Sequence, residues 1–445
     1  MQLIKHIIFV DIDDECKLII NSLNGTMDEI NILALETISK WQQCDNISPS
    51  NESEMVLYNN LLNRGYLINN EDEEIAKKNE ILDSLRRYHA HDRMKYRSLT
   101  FIMTYDCNFR CPYCFEGEAN RKKEVMTPEL IDSALNLVGD GLESVLLFGG
   151  EPLLPKTRPA LEYLISKLPD VTFEIITNGY YLEEFIDLLA TIKINYISVT
   201  IDGEEAHHNS KRFLANGNPT FKKILAGVAK CLEHGITTRV RMNVPKGSLD
   251  ENFRLQDDLT KQFSMYKGLL SFEMCSMLDY SDEQKNAMLS EMFCSSVEYD
   301  YAERMKRNTT FGAMSPVINA LTVGMPIRPL YSYCYAHENK PTVDPYGNLF
   351  TCLVTVGKDK LRSGTYHPTI TYEENSITNR NIDKIPECRE CIYSLLCGGG
   401  CPIRLKDHTD YFKPACSSIK NQIHDLLPRL YKAEQEHKKK AGSTQ

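Results

Sequence analysis

The sequence predicts an α/β fold organised around a parallel sheet. From Ser98 onward, short runs of apolar and β-branched residues alternate with helical patterns, giving six candidate strands joined by crossover helices. Glycine-bearing turns close the second, third and fourth of those runs: Gly149-Gly-Glu-Pro152, Thr177-Asn-Gly179 and Thr200-Ile-Asp-Gly203. A sheet of this kind places its ligand contacts at the carboxyl ends of its strands, where these turns fall.

A chain of 445 residues exceeds one ordinary core, so two or three domains are expected. Hydrophobic residues at 42% and charged residues at 25% are globular values and exclude a largely disordered or fibrous chain. A net charge of -10 gives no basic footprint for nucleic acid, and Lys438 to Lys440 form only a short basic tail. No apolar run reaches bilayer length, and Met1 to Asn21 lacks the regions of a signal peptide, so a cytoplasmic protein without membrane association is expected. In such a chain the fifteen cysteines point to metal ligation rather than disulfides. Cys16, Cys44, Cys231, Cys275 and Cys294 fall outside the motifs and read as small buried hydrophobes.

At the front, Leu3 to Val10 and Cys16 to Ser22 are branched apolar runs around Asp11-Ile-Asp-Asp-Glu15, which reads as a hairpin. Ile30, Leu33, Ala34, Ile38 and Trp41 recur at helical spacing, and a second helix runs through Met55, Tyr58, Leu61 and Leu62 until Arg64-Gly65 stops it. Tyr66-Leu-Ile68 reads as a returning strand. Ile81, Leu82, Leu85 and Tyr88 then form a linker helix into the central region. The six strands expected there are Leu99–Tyr105, Val145–Phe148, Phe173–Ile176, Tyr196–Thr200, Thr238–Val244 and Leu270–Met274, with an amphipathic helix over Asp282–Met305 to end the unit.

The stretch Thr104-Tyr-Asp-Cys107-Asn-Phe-Arg-Cys111-Pro-Tyr-Cys114-Phe follows the first of these strands. Three thiolates on one loop can hold three irons of a four-iron, four-sulfur cluster and leave the fourth iron open to a small molecule. Structural zinc is the alternative, but it takes four ligands and usually a second Cys-x2-Cys pair facing the first. A second constellation lies downstream: Cys334, Gly347 and Cys352, then Cys388-x2-Cys391-x5-Cys397-x3-Cys401-x14-Cys416. Zinc ribbons are the structural alternative for the Cys388–Cys391 pair alone. Gly398-Gly-Gly400 suits a tight chain path between cysteines and lacks the lysine and hydroxyl of a phosphate loop.

The Cys107, Cys111 and Cys114 loop, with Tyr113 before the third cysteine, resembles the radical S-adenosylmethionine (SAM) enzymes. The resemblance implies a partial (β/α)6 barrel over residues 91–315, since six units are too few for a complete eightfold one. It also implies that Gly149, Gly150, Glu151 and Pro152 contact the methionyl amine of SAM and that Thr200 lies near the cosubstrate. Arg212, past His207-His-Asn209, is a candidate for the SAM carboxylate, with a solvated surface arginine as the alternative. Asn243 is a further candidate, whereas the adjacent His207 and His208 share no face and read as substrate-side or surface residues.

The later cysteines resemble the SPASM extension of radical enzymes, expected over residues 316–427 before a tail at 428–445. By that resemblance Cys388, Cys391, Cys397 and Cys416 close one auxiliary four-iron cluster. Cys334, Cys352 and Cys401 supply three ligands to another, which makes three clusters in all. No cysteine lies just upstream of Cys334, so that cluster has room for a substrate thiolate or another small ligand on its remaining iron.

Residues 1–90 resemble the winged-helix-like domain that recognises precursor peptides at the front of peptide-modifying radical enzymes, where a leader peptide adds as a strand. A DNA-binding winged helix is disfavoured by the acidic run Glu71-Asp-Glu-Glu74. Together these resemblances imply reductive cleavage of SAM to a 5'-deoxyadenosyl radical, an external electron donor such as flavodoxin or ferredoxin, and a ribosomally made peptide as substrate. Thioether formation from a cysteine sulfur to a carbon is the expected outcome, with carbon-carbon or carbon-oxygen crosslinking the nearest alternative. Sulfatase maturation is disfavoured, because Leu353 stands where that family has an acidic residue. A non-catalytic electron-transfer or scaffold protein would have no use for the Gly149–Pro152 turn.

Overall fold

The computed structural model describes residues 1–44, 46–92, 97–117, 122–245, 248–276, 309–311, 326–334, 340–405, 410–416, 420, 423–424 and 427–442. The helix expected over Asp282–Met305, and Cys294 within it, lie outside the described residues.

The front of the chain runs β1 (Gln2–Leu3), β2 (Ile7–Asp11), β3 (Cys16–Asn21), β4 (Met27–Asn31), α1 (Ile32–Trp41), α2 (Glu52–Asn63), β5 (Leu67–Ile68) and α3 (Glu71–Asp92). The run read as one strand from Leu3 to Val10 is two, because the backbone amides of Lys5 and His6 donate to the Glu74 carboxylate at 3.0 and 2.9 Å instead of to a ladder. β1 therefore pairs with β5, while β2, β3 and β4 form a separate antiparallel sheet. Ile30 belongs to β4 rather than to the helix, which starts after Asn31 caps it by accepting from the Ala34 amide at 2.8 Å.

One face of the β2–β4 sheet packs on α1 and α2 through Ile7, Ile19, Ile30, Ile38 and Trp41. The other face, with Ile8, Val10, Leu18 and Ile20, meets Ile327, Leu396, Leu427 and Leu430 from the end of the chain. A sheet covered on both faces loses its apolar surface to water on neither, which favours burying the front unit against the C-terminal region.

The centre is α/β as expected. β6 (Ser98–Ile102), β7 (Ser144–Phe148), β8 (Thr172–Thr177), β9 (Ile194–Thr200), β10 (Thr238–Val244) and β11 (Leu270–Ser276) lie side by side and parallel. Helices α4 (Pro128–Val138), α5 (Arg158–Lys167), α6 (Leu182–Leu189), α7 (Glu205–Lys211), α8 (Phe221–Glu233) and α9 (Leu249–Gln262) connect them. The helices bury one stripe each: Phe221, Ile224, Val228 and Leu232 in α8 recur at the three- and four-residue steps that share a helix face.

The sheet is longer than the six predicted strands. β12 (Thr309–Phe311) adds in parallel beyond β11, and β13 (Thr342–Val343) adds in parallel beside β6. From β13 the sheet continues antiparallel through β14 (Asn348–Phe350), β15 (Gly364–Thr365) and β16 (Thr371–Tyr372). Phe350 packs with Ile102, Tyr105 and Phe148, and the Tyr105 hydroxyl donates to Asp344 at 2.9 Å. The C-terminal third is thus joined to the first barrel strand, and Cys352 comes two residues after β14. No helix among the described residues is long and apolar enough to cross a membrane.

Candidate functional site

At the carboxyl ends of the parallel strands lies a cavity of 290 Å³ whose walls include Cys107, Cys111, Cys114, Gly149, Gly150, Thr200 and Arg212. Three of the predicted metal ligands and four of the predicted cosubstrate contacts therefore share one space. The cysteine loop is held there by Phe109, which is buried in the barrel core. It is also laced to the segment after α7, where the Arg110 amide donates to Phe213 O at 3.0 Å and the Ala215 amide to Asn108 O at 2.8 Å. Burial pushes the Cys107 and Cys111 thiols up.

Gly149 and Gly150 bring their backbone against the entry to that loop. A Cβ on Gly149 would lie 2.5 Å from Thr104 O, and one on Gly150 would lie 2.2 Å from Tyr105 O. The amides of Gly150 and Glu151 donate to Thr104 O and Asp106 O at 3.0 and 2.9 Å. Only glycine fits this approach, and φ of +123° at Gly149 adds a second reason.

Glu151 behaves differently from its expected role. Its carboxylate is fully buried and accepts from Thr177 Oγ1 at 2.6 Å, the Leu153 amide at 3.0 Å and the Asn178 amide at 2.7 Å. It faces the Thr177-Asn-Gly179 turn and is not part of the cavity wall, and neither is Pro152. The glycines present backbone to the cavity, and the carboxylate fixes the next turn. That turn in turn delivers Asn178, whose Nδ2 donates to Asn108 Oδ1 at 2.8 Å beside Cys107.

Arg212 is 8% exposed, which removes the surface alternative. Its Nη1 donates to the Tyr113 hydroxyl at 2.8 Å, that hydroxyl donates to Asp202, and Asp202 accepts from the amide and side chain of Asn243 at 3.1 and 3.2 Å. Arg212 Nε has no partner among the described residues, so a buried cationic donor remains for an anionic group. Thr200 and Asn243 also line the cavity.

The two histidines are brought to neither the cavity nor the surface as a pair. His208 is fully buried, with Nδ1 accepting from the Asp202 amide at 3.2 Å and Nε2 donating to Thr220 Oγ1 at 3.1 Å. Burial pushes it down to about 3, so it is a neutral structural group and not a substrate-side one. His207 instead bonds Glu251 at 2.9 Å.

Among the later cysteines, Cys391 and Cys416 lie near enough to Cys388 and Cys397 to help push those two buried thiols up, after burial itself. Cys352 feels Cys401, and both pack with Cys334 against Leu361, Ile377 and Ile403. Among the described residues no three ligand side chains close on a single ion, here or at Cys107, Cys111 and Cys114.

Sequence reasoning missed several residues of the cavity. Phe148 and Arg241 form wall positions on β7 and β10, and Leu353 and Val354 bring the segment after Cys352 into the same cavity. Glu116 is a buried carboxyl on that wall, pushed up to about 8 by burial, and its Oε1 has no partner among the described residues. Adjacency to the cysteine motif was its signal in the sequence.

Residues 101–255 match the Radical SAM superfamily. A probable GTP 3',8-cyclase of Archaeoglobus fulgidus is 23% identical over 264 residues, covering 58% of this chain and 86% of that protein. The GTP 3',8-cyclase of Alkaliphilus oremlandii is 31% identical over 31% of this chain and 43% of its own length, so the match spans under half of that relative. Among solved structures, anSMEcpe with bound AdoMet and Cp18Cys peptide superposes with a TM-score of 0.57 at 19% identity, over 76% of this chain and 99% of that one. Streptococcus suis SuiB bound to precursor peptide SuiA gives 0.54 at 14% identity, over 94% and 99%. The chain therefore carries a radical SAM domain with the fold of that superfamily, which implies SAM and a four-iron, four-sulfur cluster. The open donors and the glycine cradle around Cys107, Cys111 and Cys114 fit both.

Proposed function

We propose that this protein is a radical SAM maturase of a ribosomally synthesised peptide that forms thioether links from cysteine sulfur to a carbon of another residue. The observation that carries the reading is the shared cavity: the loop of Cys107, Cys111 and Cys114 and the Leu353-Val354 segment next to Cys352 both line it. A peptide cysteine held near Cys352 would border the same cavity as the proposed SAM site.

In this reading Cys107, Cys111 and Cys114 hold the first cluster. Gly149 and Gly150 offer backbone to the SAM amine, Arg212 offers its free Nε to the carboxylate, and Thr200 borders the nucleoside. When bound, cluster and SAM supply a 5'-deoxyadenosyl radical that removes a hydrogen from substrate carbon. The chain positions that carbon, and Phe115, Phe148, Leu353 and Val354 give the cavity an apolar wall. Thioether closure removes one carbon-bound hydrogen, the thiol proton and one electron, which needs an acceptor. Cys388, Cys391, Cys397 and Cys416, with Cys334, Cys352 and Cys401, would hold the two auxiliary clusters suited to that task, and a flavodoxin or ferredoxin would supply the electron for SAM cleavage.

Residues 1–90 would bind the leader. Supporting this, β4 is an edge of its sheet, and beside it Asp28, Ile30, Ala34, Leu57, Leu61 and Arg64 line a groove of 400 Å³. α1 and α2 also expose Ile32, Leu33, Met55 and Val56. Edge addition of a peptide strand uses both features. SuiB and anSMEcpe, whose folds are similar, are solved with peptides bound.

The test is anaerobically reconstituted protein with SAM, dithionite and short cysteine-rich peptides drawn from the reading frames neighbouring the gene, with GTP in a parallel reaction. A modified peptide and unchanged GTP are expected. Conversion of GTP with the peptide untouched would put the protein with the cyclases it partly matches.

A further inference from the structure

Arg380 is the largest fully buried side chain among the described residues, at 1% exposure. Its guanidinium donates to four carbonyls: Nε to Tyr411 O at 2.7 Å, Nη1 to Gly400 O at 2.5 Å, and Nη2 to Gly399 O and Lys413 O at 2.6 and 2.8 Å. Carbonyls solvate a cation without neutralising it, and no carboxylate pairs with Arg380 among the described residues. The groups whose charge acts on it are Cys388, Cys401, Cys397 and Cys334, two from each of the later cysteine groups. Arginine stays protonated even when burial lowers its pKa, so the charge must be balanced in place.

The carbonyls it holds belong to the chain path that joins those groups. A Cβ on Gly398 would lie 2.3 Å from Ser332 C, two residues before Cys334, and one on Gly400 would lie 2.3 Å from Ala415 O, just before Cys416. The Ala415 amide donates to Gly399 O at 3.0 Å. Gly398, Gly399 and Gly400 are therefore wedged between the approaches to one cysteine of each group, with Arg380 fastening two of their carbonyls.

We propose that Arg380 is a positioning residue and shared countercharge for both auxiliary iron-sulfur sites: it fixes the Gly399-Gly400 path between them and places one buried positive charge beside both. This rests on the reading that the later cysteines hold clusters. A cluster gains negative charge when it is reduced, so a nearby fixed cation favours the reduced form and raises its potential. One cation serving two sites couples both to a single side chain.

The experiment compares full-length wild type, Arg380→Gln and Arg380→Lys after anaerobic reconstitution, by iron and sulfide counting and by potentiometric titration followed by electron paramagnetic resonance. Wild type should hold about twelve irons per chain, as three four-iron clusters require. Arg380→Gln should lower the potentials of both auxiliary clusters, or lose both and so keep only about four of the roughly twelve irons, while the SAM-perturbed signal of the first cluster stays. Arg380→Lys keeps the charge and should keep potentials and iron closer to wild type than Arg380→Gln does. Unchanged potentials and iron in Arg380→Gln, a change at one auxiliary cluster only, or equal loss in both variants would overturn the proposal. A wild type holding only about four irons would instead remove the reading on which it rests.

Discussion

The Tyr113 hydroxyl joins Arg212 to Asp202, accepting from Arg212 Nη1 at 2.8 Å and donating to the buried carboxylate. This bridge ties the cysteine loop to the end of β9 and to the turn after α7. It holds the guanidinium in the cavity with Nε unspent.

Replacing Arg212 by Met should therefore weaken SAM binding by at least about tenfold, ~1.4 kcal/mol, while the first cluster's iron is retained. Tyr113→Phe should weaken it less, since the charge stays and only its alignment is lost. Equilibrium binding of SAM to reconstituted protein measures both. Unchanged affinity in Arg212→Met would remove the carboxylate role.

Gly150→Ala tests the cradle. Its Cβ would meet Tyr105 O at 2.2 Å and Asp106 O at 2.4 Å, backbone atoms that cannot rotate away. The expected cost is about 1–3 kcal/mol in stability, read as a lower Tm, together with loss of SAM cleavage. Gly141→Ala has nothing within 4 Å and should leave both unchanged.

Much of this arrangement was legible in the sequence, because strand-helix alternation and cysteine spacing are local patterns. Cys107, Cys111 and Cys114, Gly149, Gly150, Thr200 and Arg212 line one cavity. What was not legible depends on distant partners. The Leu3–Val10 run splits because Glu74, 68 residues from His6, takes its amide. Glu151 was read as a ligand group because a carboxylate at a strand end suits an ammonium, but Thr177 and Asn178 had already claimed it. Leu353 and Val354 reach the cavity only because β13 pairs with β6, a two-residue strand without a periodic signal.

The neutral His208 should make stability pH-dependent. Its folded pKa is pushed down to about 3 from the ordinary 6.5, so below about 6.5 the unfolded chain binds a proton that the folded one refuses. Stability from this group is complete above 6.5 and falls as pH drops toward 3. Chemical denaturation at several pH values should show His208→Asn with a smaller loss than wild type across that window. Parallel losses would show that other groups govern acid sensitivity.

Leader recognition can be tested without removing the front of the chain, whose β2–β4 sheet covers Leu396, Leu427 and Leu430. Leu33→Asp and Val56→Asp alter side chains that are 69% and 57% exposed, so the fold should persist. Peptide affinity should fall while peptide-independent deoxyadenosine formation is preserved. Unchanged affinity would place leader binding elsewhere.

The triple variant Cys107→Ala, Cys111→Ala, Cys114→Ala should lose SAM cleavage and about four irons per chain while keeping the rest. Iron counting and a deoxyadenosine assay read both. Normal cleavage by this variant would overturn the assignment of the first cluster.

Mass spectrometry of the peptide product before and after alkylation tests thioether formation most directly. Each link should remove about two mass units, the hydrogens lost from carbon and sulfur, and each linked cysteine should resist alkylation after reduction. A peptide with the same mass loss whose cysteines all alkylate would contradict thioether formation and assign the reaction to carbon-carbon or carbon-oxygen crosslinking.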